Sequence, residues 1–143
     1  MIDEVVDFIR REDNSHFKIT VGTDSELVGP RQAHFVSAIV VHHVGHGAIY
    51  FWSSLSKENI ATLRQRIYEE ATYSLVLAQD LLEKFKDKDL PLEKLLEIHV
   101  DVGEVGETRT LINEVVGMIK GSGFVCQTKP LAFAASNVAD RHT

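Results

Sequence analysis

The sequence predicts an α/β fold: a five-stranded mixed sheet of order 3-2-1-4-5 with helices on both faces. Three observations predict it. Three strand-like segments come first, two hairpin links joining them, and strand then alternates with helix, giving the order βββαβαβα after a short leading helix. The two hairpins extend the first strand antiparallel on one side. The two later crossovers, right-handed as such connections almost always are, add parallel strands on its other side.

Each element has a local reason. Residues 2 to 12 place Ile2, Val5, Val6 and Ile9 at helical spacing, which predicts a short amphipathic helix. The first strand runs from about Phe17 to Asp24, and Ser25 to Pro30 is expected to be a turn because Gly29 and Pro30 break the pattern. A second strand, about Ala33 to His43, is rich in Val, Ile and Ala. Gly45-His46-Gly47 makes a tight hairpin into a third strand, Ala48 to Trp52.

A long helix is then predicted from roughly Asn59 to Lys86. Its apolar stripe includes Ile60, Leu63, Ile67, Ala71, Leu75, Ala78, Leu81, Leu82 and Phe85, with Ser74 among them. Thr62 and Gln65 have capping-box spacing, so the regular helix can instead begin at Thr62. A charged exit, Lys84 to Asp89, and Pro91 lead to the fourth strand, Leu95 to Val100. After the loop Val102 to Glu107, a helix from about Thr108 to Lys120 ends at Gly121 and Gly123, residues suited to a C-cap. Phe124 to Thr128 is the fifth strand and Leu131 to His142 the last helix. With no repeat, low-complexity run or linker, residues 1–143 read as one domain, residues 1–16 being the N-terminal helix and its lead-in.

Composition excludes several classes. At 143 residues, 44% hydrophobic and 25% charged, the chain has the makings of an ordinary globular core. No apolar run reaches the roughly 20 residues needed to cross a bilayer, and residues 1–6 lack the features of a secretory signal, so no membrane association and a cytoplasmic location are expected. A single cysteine, Cys126, excludes an intrachain disulfide and cysteine-rich zinc motifs. The net charge of −6 argues against a tight, non-specific grip on duplex phosphates.

Four acidic residues carry the functional signal. Asp24 closes the first strand, Asp101 the fourth, Glu70 lies at the edge of the apolar face of the long helix, and Asp140 lies in the last helical stretch. Carboxylates are costly to bury alone, so several converging on one place suggest bound divalent cations. Each has a plainer reading too: Asp24 as a turn former, Asp101 as a loop entry, Asp140 as a solvated terminal residue, and Glu70 as the partner of Arg66 or Arg109. On a helical wheel Glu70 falls on the edge of the apolar face while Glu69 points almost the opposite way from that face, which favours Glu70 as the inward carboxylate.

The topology and three pieces of sequence, Val21-Gly22-Thr23-Asp24-Ser25, His99-Val100-Asp101-Val102-Gly103 and Ser136 to Thr143, resemble the ribonuclease H-like superfamily. Within it they resemble a small, uncharacterised bacterial family, the YkuK type, over roughly Phe17 to Thr143. That resemblance implies a nuclease. Asp24 would bridge two Mg²⁺ or Mn²⁺ ions, Glu70 and Asp101 would share one of them, and Asp140 would complete the site of the other. Asn137, one turn before Asp140, departs from the paired acids of related resolvases, and His142 is an alternative ligand or proton carrier.

The chemistry is coherent, because phosphodiester hydrolysis needs an activated water and a stabilised leaving oxygen, both of which two metals provide. Oxygen ligands suit Mg²⁺ and Mn²⁺ rather than zinc. Arg109, Arg64 and Lys57 are the candidate phosphate contacts, set against the plainer reading of a solvated face. The expected partner is nucleic acid, whether RNA, DNA or a hybrid; the sequence does not fix the oligomeric state. The alternative is a non-catalytic nucleic-acid- or protein-binding module on the same fold. His42, His43 and His46 read as exposed turn residues at the end of the sheet away from Asp24. His99 reads as either an orienting partner of a carboxylate or a satisfied core histidine, and Cys126 as core.

Overall fold

A computed structural model describes residues 2–11, 17–43, 45, 47–86, 95–101 and 109–128. The elements in chain order are α1 (Ile2–Arg11), β1 (Phe17–Gly29), β2 (Gln32–His43), β3 (Gly47–Glu58), α2 (Leu63–Phe85), β4 (Leu96–Val100), α3 (Arg109–Gly121) and β5 (Val125–Thr128). The expected last helix, residues 131–142, and with it Asp140, Asn137 and His142, lie outside the described residues.

The five strands form one mixed sheet in the order β3-β2-β1-β4-β5. β1–β2 and β2–β3 pair antiparallel; β1–β4 and β4–β5 pair parallel. The pattern follows from connection length: short turns join the first three strands, whereas α2 and α3 carry the chain back for the two parallel additions.

The hairpin arms are longer than their apolar alternation indicates. β1 continues through Ser25 to Gly29, so the break falls at Pro30 and Arg31 rather than beginning at Ser25. Pairing with β2 carries the polar tip, Ser25 facing Phe35 and Glu26 facing His34, and an irregularity between Leu27 and Gly29 absorbs one residue. β3 likewise runs past Trp52 to Glu58, because the serine-rich stretch Ser53–Ser56 finds its backbone partners on β2.

One core unites the three described helices with one face of the sheet. Val5 and Ile9 of α1 join Ile19 and Val21 of β1, Ile98 of β4, and Val115 and Ile119 of α3. α1 is therefore part of the core rather than a detached lead-in. Ile67, Glu70, Ala71, Ser74, Ala78, Leu81 and Phe85 are the buried residues of α2, close to the expected stripe. Leu63, the first residue of the helix, stays outside at 48% exposure. On the other face of the sheet Ala38 and Val40 are buried too.

Two caps fix the ends that matter for the site. Thr62 is the N-cap of α2: its side chain accepts from the Gln65 backbone N–H at 3.1 Å, while Gln65 Oε1 accepts from the Thr62 N–H at 3.0 Å. Asn59 just before it takes φ +66°, which asparagine tolerates better than most residues. The Ile60 N–H then donates to the Arg31 carbonyl at 2.9 Å, tying the start of α2 to the β1–β2 turn. Replacing Thr62 by Ala should cost about 1 kcal/mol of stability. Urea denaturation checks this, and a loss near zero would show that the sheet, not the cap, holds this end of the helix.

At the far end of α3, Gly123 has φ +92°. Its N–H donates to the Lys120 carbonyl at 3.0 Å, and the Phe124 N–H donates to that of Ile119 at 3.4 Å. This is a Schellman motif with glycine at the left-handed position. It turns the chain straight into β5, which begins two residues later.

The histidines at the far end of the hairpin differ from expectation at one position. His43 is buried, not exposed, because it pairs directly with Phe17 across β1–β2 and stacks on its ring at 4.5 Å between centroids. His42 is half-buried and His46 lies outside the described residues. No described helix is long and apolar enough to cross a membrane.

Candidate active site

Parallel pairing of β1 with β4 ends at Gly22 and His99. Asp24 and Asp101 each follow that pair by two residues, so strand alternation places both on the sheet face opposite α2. Asp101 follows the carboxyl end of β4, and Asp24 lies just past the point where β1, which runs on to Gly29, leaves its parallel pairing with β4; open α/β sheets receive their ligands at that edge.

Glu70 approaches from α2 on the other side. It is 7% exposed, and burial pushes its carboxyl up to about 8. The Ser25 hydrogen bond opposes that rise; the negative charges of Asp24 and Asp101 add to it, and Arg66 lowers it. Asp24 and Asp101 are therefore each near enough to Glu70 to act on its charge. Of the four expected carboxylates, Asp24 and Asp101 each bear on the charge of Glu70, and Asp140 falls outside the described residues.

Glu69 and Glu70 have opposite surroundings, as the helical wheel indicates. Glu69 accepts from Lys57 Nζ at 2.9 Å on the outer side of the helix, whereas Glu70 Oε2 accepts from Ser25 Oγ at 2.5 Å on the inner side. Arg66 does not deliver its hydrogen bonds to Glu70, contrary to the plainer reading of that residue. Its Nε donates to Ser25 Oγ and its Nη2 to the Ser25 carbonyl, both at 3.2 Å. The Ser25 backbone N–H in turn donates to Asp24 Oδ1 at 2.9 Å. Ser25 was invisible to sequence reasoning because it sat inside an expected turn. Its place beside Asp24 on an extended strand was the only signal available.

Beneath the site, hydroxyls rather than charges make the link between helix and sheet. Ser74 Oγ donates to Thr23 Oγ1 at 2.8 Å, and Thr23 shares a 2.9 Å hydrogen bond with Ser37 on β2. This chain fixes the rotation of α2 one turn after Glu70.

The other expected residues fall around this centre. His99 is buried, with Nε2 3.2 Å from Glu97 Oε2, and Glu97 also meets Lys18 Nζ at 3.0 Å. Burial lowers the His99 pKa against the opposing pull of Glu97. Lys57 and Arg64 line one open depression of about 490 Å³ at the start of α2. Each already faces a carboxylate: Lys57 that of Glu69, and Arg64 that of Glu114 at 2.9 Å. The Arg64 guanidinium also lies 5.1 Å from the Tyr68 ring centroid, and the Tyr68 hydroxyl donates to the same Glu114. Arg109 is exposed at the first position of α3. Cys126 is buried in the core, its thiol pushed up to about 11 by burial, as befits an inert core residue.

A family model described as ribonuclease H-like matches residues 1–143. The chain belongs to the ribonuclease H-like family. A relative, the uncharacterized protein YkuK of Bacillus subtilis (strain 168), is 30% identical over 149 residues, covering 95% of this chain and 84% of its own length. No solved structure matches. In this ribonuclease H-like chain the family's metal dependence is tested by the donors themselves. Asp24, Glu70 and Asp101 offer only hard oxygens, and Glu70 is held in a buried place by a neutral hydroxyl rather than by a cationic side chain. That chemistry fits Mg²⁺ or Mn²⁺. Among the described residues no three His, Cys, Asp or Glu side chains are yet gathered closely enough to hold an ion as they stand.

Proposed function

We propose that the protein is a divalent-metal-dependent nuclease that hydrolyses phosphodiester bonds of RNA or DNA. The observation that carries the reading is a buried glutamate of α2, Glu70, under the electrostatic influence of Asp24 of β1 and Asp101 at the end of β4, in a chain of the ribonuclease H-like family. These three residues, with Asp140, would hold two Mg²⁺ or Mn²⁺ ions. When bound, such ions supply an activated water and stabilise the leaving 3′ oxygen.

The protein's own residues do the rest. Asp24 and Asp101 would present their carboxylates where the parallel pairing of β1 and β4 ends. Glu70 is kept from bulk water by α2. Arg109, Arg64 and Lys57 are the proposed phosphate contacts. Lys57 and Arg64 would exchange their carboxylate partners, Glu69 and Glu114, for phosphate on binding, which limits what each contributes to affinity.

A second reading is favoured by that same pairing and by the net charge of −6: a non-catalytic module that binds nucleic acid or protein on this fold. Against it stands the burial of Glu70 beside two further acids, since a phosphate-binding surface gains nothing from carboxylates facing its ligand. Cleavage of a labelled panel separates the two. Single-stranded RNA, single-stranded DNA, hybrid, duplex and four-way junction are each incubated with Mg²⁺, Mn²⁺ or EDTA. Metal-dependent cutting of at least one member is the expected result. A folded protein that cuts none of them under any condition would move the assignment to the binding module.

A further inference from the structure

Asp24 and Glu70, which act together in the proposed function, come from different elements, and a single serine touches both. The Ser25 N–H donates to Asp24 Oδ1 at 2.9 Å, and the Ser25 hydroxyl donates to Glu70 Oε2 at 2.5 Å. From behind, Arg66 grips the same residue twice, through Nε to Oγ and through Nη2 to the carbonyl, each at 3.2 Å. Donor count fixes the polarity of the Arg66 end of this network. Arginine has only donors, so Ser25 Oγ must accept from Arg66, and towards an ionised Glu70 it is Ser25 that donates.

The alternative arrangement, Arg66 paired directly with Glu70, is within the reach of a side chain one helical turn away. It would satisfy the glutamate with a permanent cation and leave it little reason to bind another. Interposing a hydroxyl keeps the guanidinium one atom further away. Glu70 then has a partner that orients it without neutralising it, and Oε1 is left unclaimed by Ser25.

On this basis we infer that Ser25, braced by Arg66, is a positioning residue that sets Asp24 and Glu70 for joint binding of a divalent cation. The inference rests on the metal-dependent reading above and names the residues that make its site competent. Ser25 itself needs no contact with the ion or the substrate. Such outer partners commonly change metal affinity by roughly 10- to 100-fold when removed.

The test is Mn²⁺ binding, followed by the electron paramagnetic resonance signal of the free ion at one fixed pH. Wild type is compared with Ser25→Ala, Ser25→Thr, Arg66→Lys and Asp24→Asn, and thermal unfolding of each serves as a check on folding. Ser25→Ala should weaken binding by about 10-fold or more, and Arg66→Lys should weaken it in the same direction. Ser25→Thr, which keeps the hydroxyl on a β-compatible side chain, should bind within about threefold of wild type. A merely structural serine would lower the melting temperature without moving the affinity.

Ser25→Ala binding as tightly as wild type, with Asp24→Asn binding lost, overturns the inference and leaves the metal-dependent reading standing. A Thr variant as weak as Ala overturns it as well. Wild type that binds no Mn²⁺ overturns both. Should Ser25→Ala fail to fold, Arg66→Lys decides: unchanged affinity there overturns the bracing, and weakened affinity supports it.

Discussion

Asp24→Asn should abolish metal-dependent cleavage while leaving the protein as stable as before, or more so. Asp24 is the carboxylate that the strand register places at the mouth of the site, beside Asp101 and within electrostatic reach of Glu70. An ion positioned at a transferring phosphate is worth several kcal/mol in the transition state. At about 1.4 kcal/mol per tenfold, losing it implies a drop of roughly 10³-fold. The amide can still accept the Ser25 N–H through Oδ1, so the local backbone has no reason to shift. Removing the charge also relieves Glu70, whose carboxyl Asp24 helps to push up. Initial cleavage rates and thermal midpoints, measured side by side, decide the matter. A large fall in the midpoint together with activity would make Asp24 a structural turn residue, and unchanged activity would remove it from the site.

The second large effect concerns pH and Glu70. Its carboxyl is raised from 4.5 to about 8 in the folded protein, chiefly by burial. Between those values the folded state keeps a proton that the unfolded chain has released. Folding therefore takes up a proton, and stability falls as pH rises through that window. The contribution is fully present below the unfolded value and has gone once pH exceeds the folded one. Its size is on the order of a few kcal/mol.

Glu70→Gln carries a neutral amide at every pH and should lack this slope. Without metal, the variant and wild type should be about equally stable near the acid end, with the variant ahead in mild alkali. Saturating Mn²⁺ should then restore the wild type at high pH and do little for the variant, because the ion needs the ionised carboxylate. Urea denaturation across the pH range, with and without Mn²⁺, tests each part. Parallel stability curves for the two proteins would sink the assignment of Glu70 as the buried acid.

Much of this arrangement is legible in the chain because period and punctuation are local. The alternation in β1 and β2, the glycine-flanked hairpin and the stripe of α2 gave the strand order, and the Thr62–Gln65 spacing located the start of α2. Helical geometry separated Glu70 from Glu69, since adjacent helical residues point about 100° apart. Other features escaped because they depend on what lies across the fold. The serine-rich end of β3 carries no apolar alternation and becomes a strand through pairing with β2 alone. His43 looked like a turn residue until the register put it against Phe17. The pairing of Lys57 with Glu69 could follow only once β3 had been extended to reach the helix.

By itself the sequence determined the order of the described elements and which acidic residues follow apolar runs, because hydrophobic period, turn chemistry and connection length act over a few residues. Tertiary structure alone decided which of those acids share an environment and what holds them. Glu70 meets Ser25 instead of Arg66 because α2 lies antiparallel over β1 with its rotation set by the Ser74–Thr23 bond. A side chain's partner across the fold depends on packing angle and register, and neither quantity is written at any single position of the chain.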